Sequence, residues 1–157
     1  MARKIYLETT TVDPRNSAAE IQDLLVDAGA SKIMNEFEQG RLVGVLFQLC
    51  HDGNDIPFRI PVRTDKILNL LGARRNSHKT NVKDKAERIA WRQALAWIKV
   101  QIAMIDLGMV KADEVFLPYM IIYSPNTPGG RTLYGELEAR GGVSQYMKAL
   151  PSPKEEN

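Results

Sequence analysis

Residues 82–108 read VKDKAERIAWRQALAWIKVQIAMIDLG, and this stretch decides the fold. At 100° per residue, Arg88, Arg92, Lys99 and Asp106 share one narrow strip, because they are spaced by 4, 7 and 7 positions. Ile89, Ala90, Trp91, Ala94, Leu95, Trp97, Ile98, Val100, Ile102, Met104, Ile105 and Leu107 fill nearly all the remaining circumference. A helix so patterned has one wet face and is covered on two or three sides, which makes it the spine of a core. It extends roughly 35–40 Å at 1.5 Å per residue, and Gly108 supplies a left-handed stop. Glu87, Gln93 and Gln101 interrupt the apolar faces and are candidate buried polar groups. An acid in a first helical turn is stabilised by the helix dipole, so Glu87 has a structural explanation beside a catalytic one. Trp97 reads as a core anchor whose truncation to alanine costs roughly 3–5 kcal/mol.

Working outward, Lys4 to Val12 reads as a strand, with Ile5 and Leu7 alternating against Tyr6 and Glu8 before a run of threonines. Ser17-Ala18-Ala19-Glu20 has the form of a capping box opening a helix with the stripe Ile21, Leu24, Leu25 and Ala28, closed by Gly29. From Ser31 the period becomes two: Ile33, Asn35 and Phe37 alternate with Lys32, Met34 and Glu36, and Gln39-Gly40 makes a turn. Leu42 to Cys50 is apolar on both sides, as a central strand is, and His51-Asp52-Gly53-Asn54 is a second turn. Ile56, Phe58, Ile60 and Val62 then face inward, with Pro57, Arg59, Pro61 and Arg63 outward; two prolines without amide donors put this strand at a sheet border. Thr64 to Gly72 forms a short helix. Beyond Gly108, Pro118 forbids a long helix, 124–130 reads as a flexible loop, and Thr132 to Ala139 and Val143 to Leu150 read as short helices.

The fold expected is α+β: an antiparallel sheet of about four strands in β-α-β-β-β-α-α order, with the helices on one face and the long helix central. Residues 1–123 make the core domain and 124–157 a loosely structured extension. The other sheet face is left open for a partner or a second copy.

The chain's 157 residues suffice for one domain, and apolar and charged fractions of 44% and 25% exclude fibrous and wholly disordered classes. One cysteine, Cys50, excludes an internal disulfide; with two histidines, it excludes an ordinary zinc site. Met1 to Tyr6 is too short and too charged for a signal peptide, so an intracellular location is expected, without a membrane span. No dinucleotide fingerprint or phosphate loop is present, His51 and His78 pair with no nucleophile, and the acidic residues lack two-metal spacing. Neither metal nor cofactor is expected.

The segment after Gly72 carries a stronger signal. Arg74, Arg75, Lys79, Lys83 and Lys85 face the single Asp84, although the whole chain has a net charge of only +2. Arg88, Arg92 and Lys99 prolong the cations along the helix, and Arg59 and Arg63 add to them from the edge strand. Such a surface suits phosphates, whose neutralisation releases counterions; the competing reading is a solvated loop and polar helix face.

Several stretches resemble a family of small phage and prophage proteins with no assigned activity. They are Glu8 to Val12, Ala19 to Gln22 with Gly29-Ala30, Ile56 to Val62, Ala86 to Arg92, and Glu114 to Met120. The resemblance implies a viral or mobile-element origin, carries over no catalytic residue, and does not extend beyond Met120. The leading expectation is therefore a non-enzymatic nucleic-acid-binding accessory protein. A protein-interaction module, such as an inhibitor of a host factor acting through the open sheet face or residues 115–122, is the alternative. A small nucleotide- or nucleic-acid-processing enzyme using Glu87, Arg88 and Arg92 comes last.

Overall fold

The computed structural model describes residues 4–73 and 79–151; of residues 79 and 80 it describes the backbone. The first regular element is helix α1, Pro14–Asp27. It starts earlier than the Ser17 capping box implies, because Asp13 Oδ1 accepts from the Arg15 amide at 2.8 Å and Pro14 supplies a pre-set first residue. Ser17 instead lies fully buried, its Oγ without a hydrogen-bond partner among the described residues. The strand expected at Lys4 to Val12 is absent. Leu7 takes a left-handed φ of 59°, and the Glu8 and Thr10 amides donate to Ile5 O and Leu7 O as in turns. This segment pairs with no strand among the described residues. It runs along the long helix, where Gln93 Nε2 donates to Tyr6 O at 2.6 Å.

Strands β1 (Lys32–Glu38), β2 (Arg41–His51) and β3 (Asn54–Pro61) form an antiparallel meander with β2 in the middle. Both connections are two-residue turns, Gln39-Gly40 and Asp52-Gly53, with positive φ at every position. Type I′ turns have this geometry, and their twist matches that of the flanking strands. Val45, Phe47 and Leu49 of β2 and Phe58 and Ile60 of β3 are buried on one face. The border position of β3 leaves Pro57 and Pro61 without the ladder bonds they could not make. A register shift after Glu36 makes Val43 the extra residue of a bulge. Beyond it Phe37, which simple alternation places inward, is largely exposed.

Helix α2 (Asp65–Gly72) leads to α3 (Lys79–Asp106), whose 28 residues span about 42 Å at 1.5 Å per residue. Helices α1 and α2 both pack on α3, and one cluster joins Ile21 and Leu25, Ile67 and Leu71, Ile89, Trp91, Leu95 and Ile98 to the inner sheet face. The expected cover on several sides is present, although Val100 and Leu107 are exposed. The buried anchor is Trp91, with no exposed surface and its Nε1 donating to Leu42 O at 3.3 Å. Trp97 is only half-buried, edge-on to Phe116 and Tyr119. No helix among the described residues is long and apolar enough to cross a membrane.

After α3 come α4 (Ala112–Phe116) and a 3-10 turn, Leu117–Tyr119, imposed by Pro118. Phe116 is buried between the sheet and α3, with ring centroids 5.3 Å from Phe47, 5.8 Å from Phe58 and 6.0 Å from Trp97. The stretch expected to be a loop is a hairpin, β4 (Ile121–Ser124) paired with β5 (Thr127–Thr132), so the boundary drawn at 123 falls inside a strand. Its proline and glycines hide the strand from pattern reading, and pairing to Ile121 and Ile122 imposes it. Helices α5 (Leu133–Ala139) and α6 (Gly142–Ala149) follow close to their expected bounds, with Thr132 Oγ1 accepting from the Gly135 amide at the start of α5.

The two tryptophans separate in a denaturation experiment. Trp91→Ala removes a fully buried ring and lowers stability by roughly 3–5 kcal/mol. Trp97→Ala costs less, because part of its ring already meets solvent. Equal midpoint losses in urea would contradict this ranking.

Candidate nucleic-acid interface

The polar strip of α3 is not uniformly wet. Arg92 reaches Glu20 of α1 at 3.0 Å, Lys85 lies 3.7 Å from Glu8, and the Arg88 Nε is buried without a hydrogen-bond partner among the described residues. The helical period identifies such a strip but does not say whether a neighbouring helix lays its acids along it. Lys83 and Lys99 are exposed and form no ion pair with the described residues. Arg74 and Arg75 lie outside the described residues, as does His78, and Lys79 is described by its backbone at the first position of α3.

Asp84 and Glu87 are both engaged by Arg41, at the start of β2. Arg41 Nη1 lies 3.4 Å from Asp84 Oδ1 and donates a short hydrogen bond to Glu87 Oε1. Hydrogen bonding to Glu87, and then the charge of that carboxylate, raises the Arg41 pKa further above its already high ordinary value. Because α3 begins at Lys79, Glu87 lies beyond the first turn, and Arg41 replaces the helix dipole as the group that stabilises it. Glu87 also borders a cleft of about 400 Å³ shared with Asp13, Arg15, Phe37 and Gln39. A double-mutant cycle over Arg41→Ala and Glu87→Ala should show favourable coupling that fades with added salt.

Arg59 is bound within the fold. Its Nε donates to Glu36 Oε1 at 3.0 Å, its Nη1 to Gly130 O at 3.2 Å and its Nη2 to Gly129 O at 3.0 Å. Glu36 and Arg59 come from opposite border strands and meet over β2 because Gly44 stands between them: a Cβ there would lie 3.0 Å from Glu36 Oε2. Arg59 thus clamps the β4–β5 hairpin to the sheet.

Arg63, just after β3, is exposed and forms no ion pair with the described residues. It borders two adjoining hollows of about 350 and 370 Å³ that share Pro61, Arg63 and Tyr119. Trp97 lines the first and Tyr134 the second, and Arg63 is the sole charged side chain among the described residues lining either. The sequence contains no motif that joins these positions, and only the fold brings aromatic rings to a basic residue of the expected set.

No protein-family model matches the chain, and comparisons with curated proteins and with solved structures return no match.

The Arg59 clamp is tested by conservative replacement. Arg59→Lys cannot fan three donors in one plane, so it should fail to restore what Arg59→Ala loses. Both variants should expose the β4–β5 amides to faster hydrogen exchange, with a stability loss of roughly 1–2 kcal/mol after allowance for partial exposure. Wild-type exchange in Arg59→Lys would show that a positive charge alone is enough.

Proposed function

We propose that the protein is a non-enzymatic nucleic-acid-binding accessory protein that meets phosphates at the N-terminal end of α3 and not along the whole helix. One observation carries this reading: Arg41, shared with Glu87, also reaches Asp84, the single acid between Gly72 and Lys85, and so partly offsets the only negative charge of the basic segment. Lys83 is left exposed at that end, in a part of the sequence that also holds Arg74, Arg75 and Lys79. The amino end of a 28-residue helix adds a partial positive charge there. Arg59, Lys85 and Arg92, committed to Glu36, Glu8 and Glu20, serve the fold in this reading. The resemblance to phage and prophage proteins supports a viral setting inside a host cell.

A second reading, self-association through the part of the outer sheet face beside the clamped β4–β5 hairpin, is favoured by a different observation. Met34 and Tyr123, 58% and 69% exposed, border an apolar hollow with Leu46 and Pro57 on that face. The 115–122 segment is a poorer docking surface than its composition implies, since Phe116 and Ile121 are buried. Sedimentation equilibrium separates the readings: a wild-type dimer that Met34→Arg turns into a monomer supports self-association.

For the leading reading, Arg74, Arg75, Lys79 and Lys83 are replaced together by alanine, with the thermal midpoint as the check that the fold is intact. The variant should flatten the salt dependence of binding by roughly one slope unit per lost phosphate contact. Arg92→Ala should leave that slope unchanged. Fluorescence anisotropy with labelled DNA across a salt series checks both, and no binding at low salt would sink the reading.

A further inference from the structure

We infer that the groove around Arg63 holds an unpaired stretch of nucleic acid, with bases against Tyr134, Tyr119 and Trp97 and a phosphate on Arg63. This rests on the nucleic-acid reading and names its ligand class. Three elements distant in sequence build the groove: the end of β3 supplies Pro61 and Arg63, α3 supplies Trp97, and the chain from the 3-10 turn into α5 supplies Pro118, Tyr119 and Tyr134.

Its chemistry selects the occupant. Two adjoining hollows of about 350 and 370 Å³, each with two aromatic rings in an otherwise mostly aliphatic or proline lining, are offered to a flat ring, and every base has a π-face to stack. Trp97 and Tyr119 meet edge to face, with centroids 5.5 Å apart and planes inclined at 63°. Tyr134, 42% exposed on the first turn of α5, lines the second hollow with Tyr119. Arg63 has no acid to satisfy among the described residues, and no carboxylate lines either hollow, so an anionic strand meets no opposing charge. Duplex DNA keeps its base faces stacked on one another and cannot use such walls; a single strand can. A proline-rich peptide also fits aromatic grooves, but it brings no phosphate for Arg63.

The test uses the full chain with a mixed-sequence DNA strand, free and annealed to its complement, at low salt. The free strand should bind more tightly than the duplex. Tyr134→Ala should weaken single-strand binding by about five- to a hundredfold, the range found on removing a stacking aromatic, while Tyr134→Phe, which keeps the ring, should bind as wild type. Arg63→Ala should weaken the same complex and lower its salt slope by about one. Trp97 emission should be quenched on binding, with the quenching lost in Trp97→Phe. Thermal midpoints close to wild type for the Tyr134 and Arg63 variants exclude misfolding as the cause. If strand and duplex bind equally and these variants change nothing while the Lys83-containing quadruple variant still flattens the salt slope, the groove is overturned and the phosphate-binding end of α3 stands. If neither DNA form binds, both readings fall. If a proline-rich peptide occupies the groove and the DNA strand does not compete, the occupant named here is wrong.

Discussion

The burial of Trp91 is the constraint on which the rest of the structure depends. Its ring has no exposed surface, and its Nε1 donates to the carbonyl of Leu42 at the start of the central strand. A buried indole must find an acceptor for its N–H, so this contact fixes the height of α3 along β2 as well as its depth. Once α3 is held there, Arg41, one residue earlier, stands within reach of Glu87 and Asp84, one and two turns back along the helix. α1 and α2 then have sides of α3 against which to close the core. Phe116 completes the interior from the other end, wedged among Phe47, Phe58 and Trp97.

Charge is distributed in this protein by pairing more than by clustering. The basic residues of α3 and β3 look alike in sequence, yet Arg92, Lys85 and Arg59 have acids of neighbouring elements beside them while Lys83, Lys99 and Arg63 have none among the described residues. An exposed ion pair contributes little stability, and its larger effect is to lower the local field. The division separates cations that position the fold from those with no acid beside them among the described residues. Arg41 works in the opposite sense, because a cation from β2, shared between Asp84 and Glu87, partly offsets the acids at the start of α3.

The aromatic groove illustrates what pattern reading misses. Arg63, Trp97, Tyr119 and Tyr134 are scattered across three elements, and no spacing rule connects them. Trp97 sits on an apolar helical face and so reads as interior, but the 3-10 turn forced by Pro118 sets Tyr119 edge-on to it and leaves part of that face open. Phe37 is a similar case, since the register shift after Glu36 sends a nominally inward side chain to the surface.

The sequence by itself determined the elements whose signals are local and periodic: the long helix with its stop at Gly108, the two-residue turns at Gln39-Gly40 and Asp52-Gly53, the central strand and the proline-marked border strand. These follow from side-chain period and backbone preference, which neighbouring residues fix without help from the rest of the chain. Tertiary structure decided the remainder. Residues 4–12 carry strand-forming side chains but turn back on themselves and pair with no strand, whereas Pro128, Gly129 and Gly130 become part of a strand because β4 and Arg59 hold them. Which cations remain available, and which aromatic rings stand beside them, depended on acids and turns brought from distant positions. Pairing and enclosure are properties of approach in space, and a one-dimensional pattern carries no record of them.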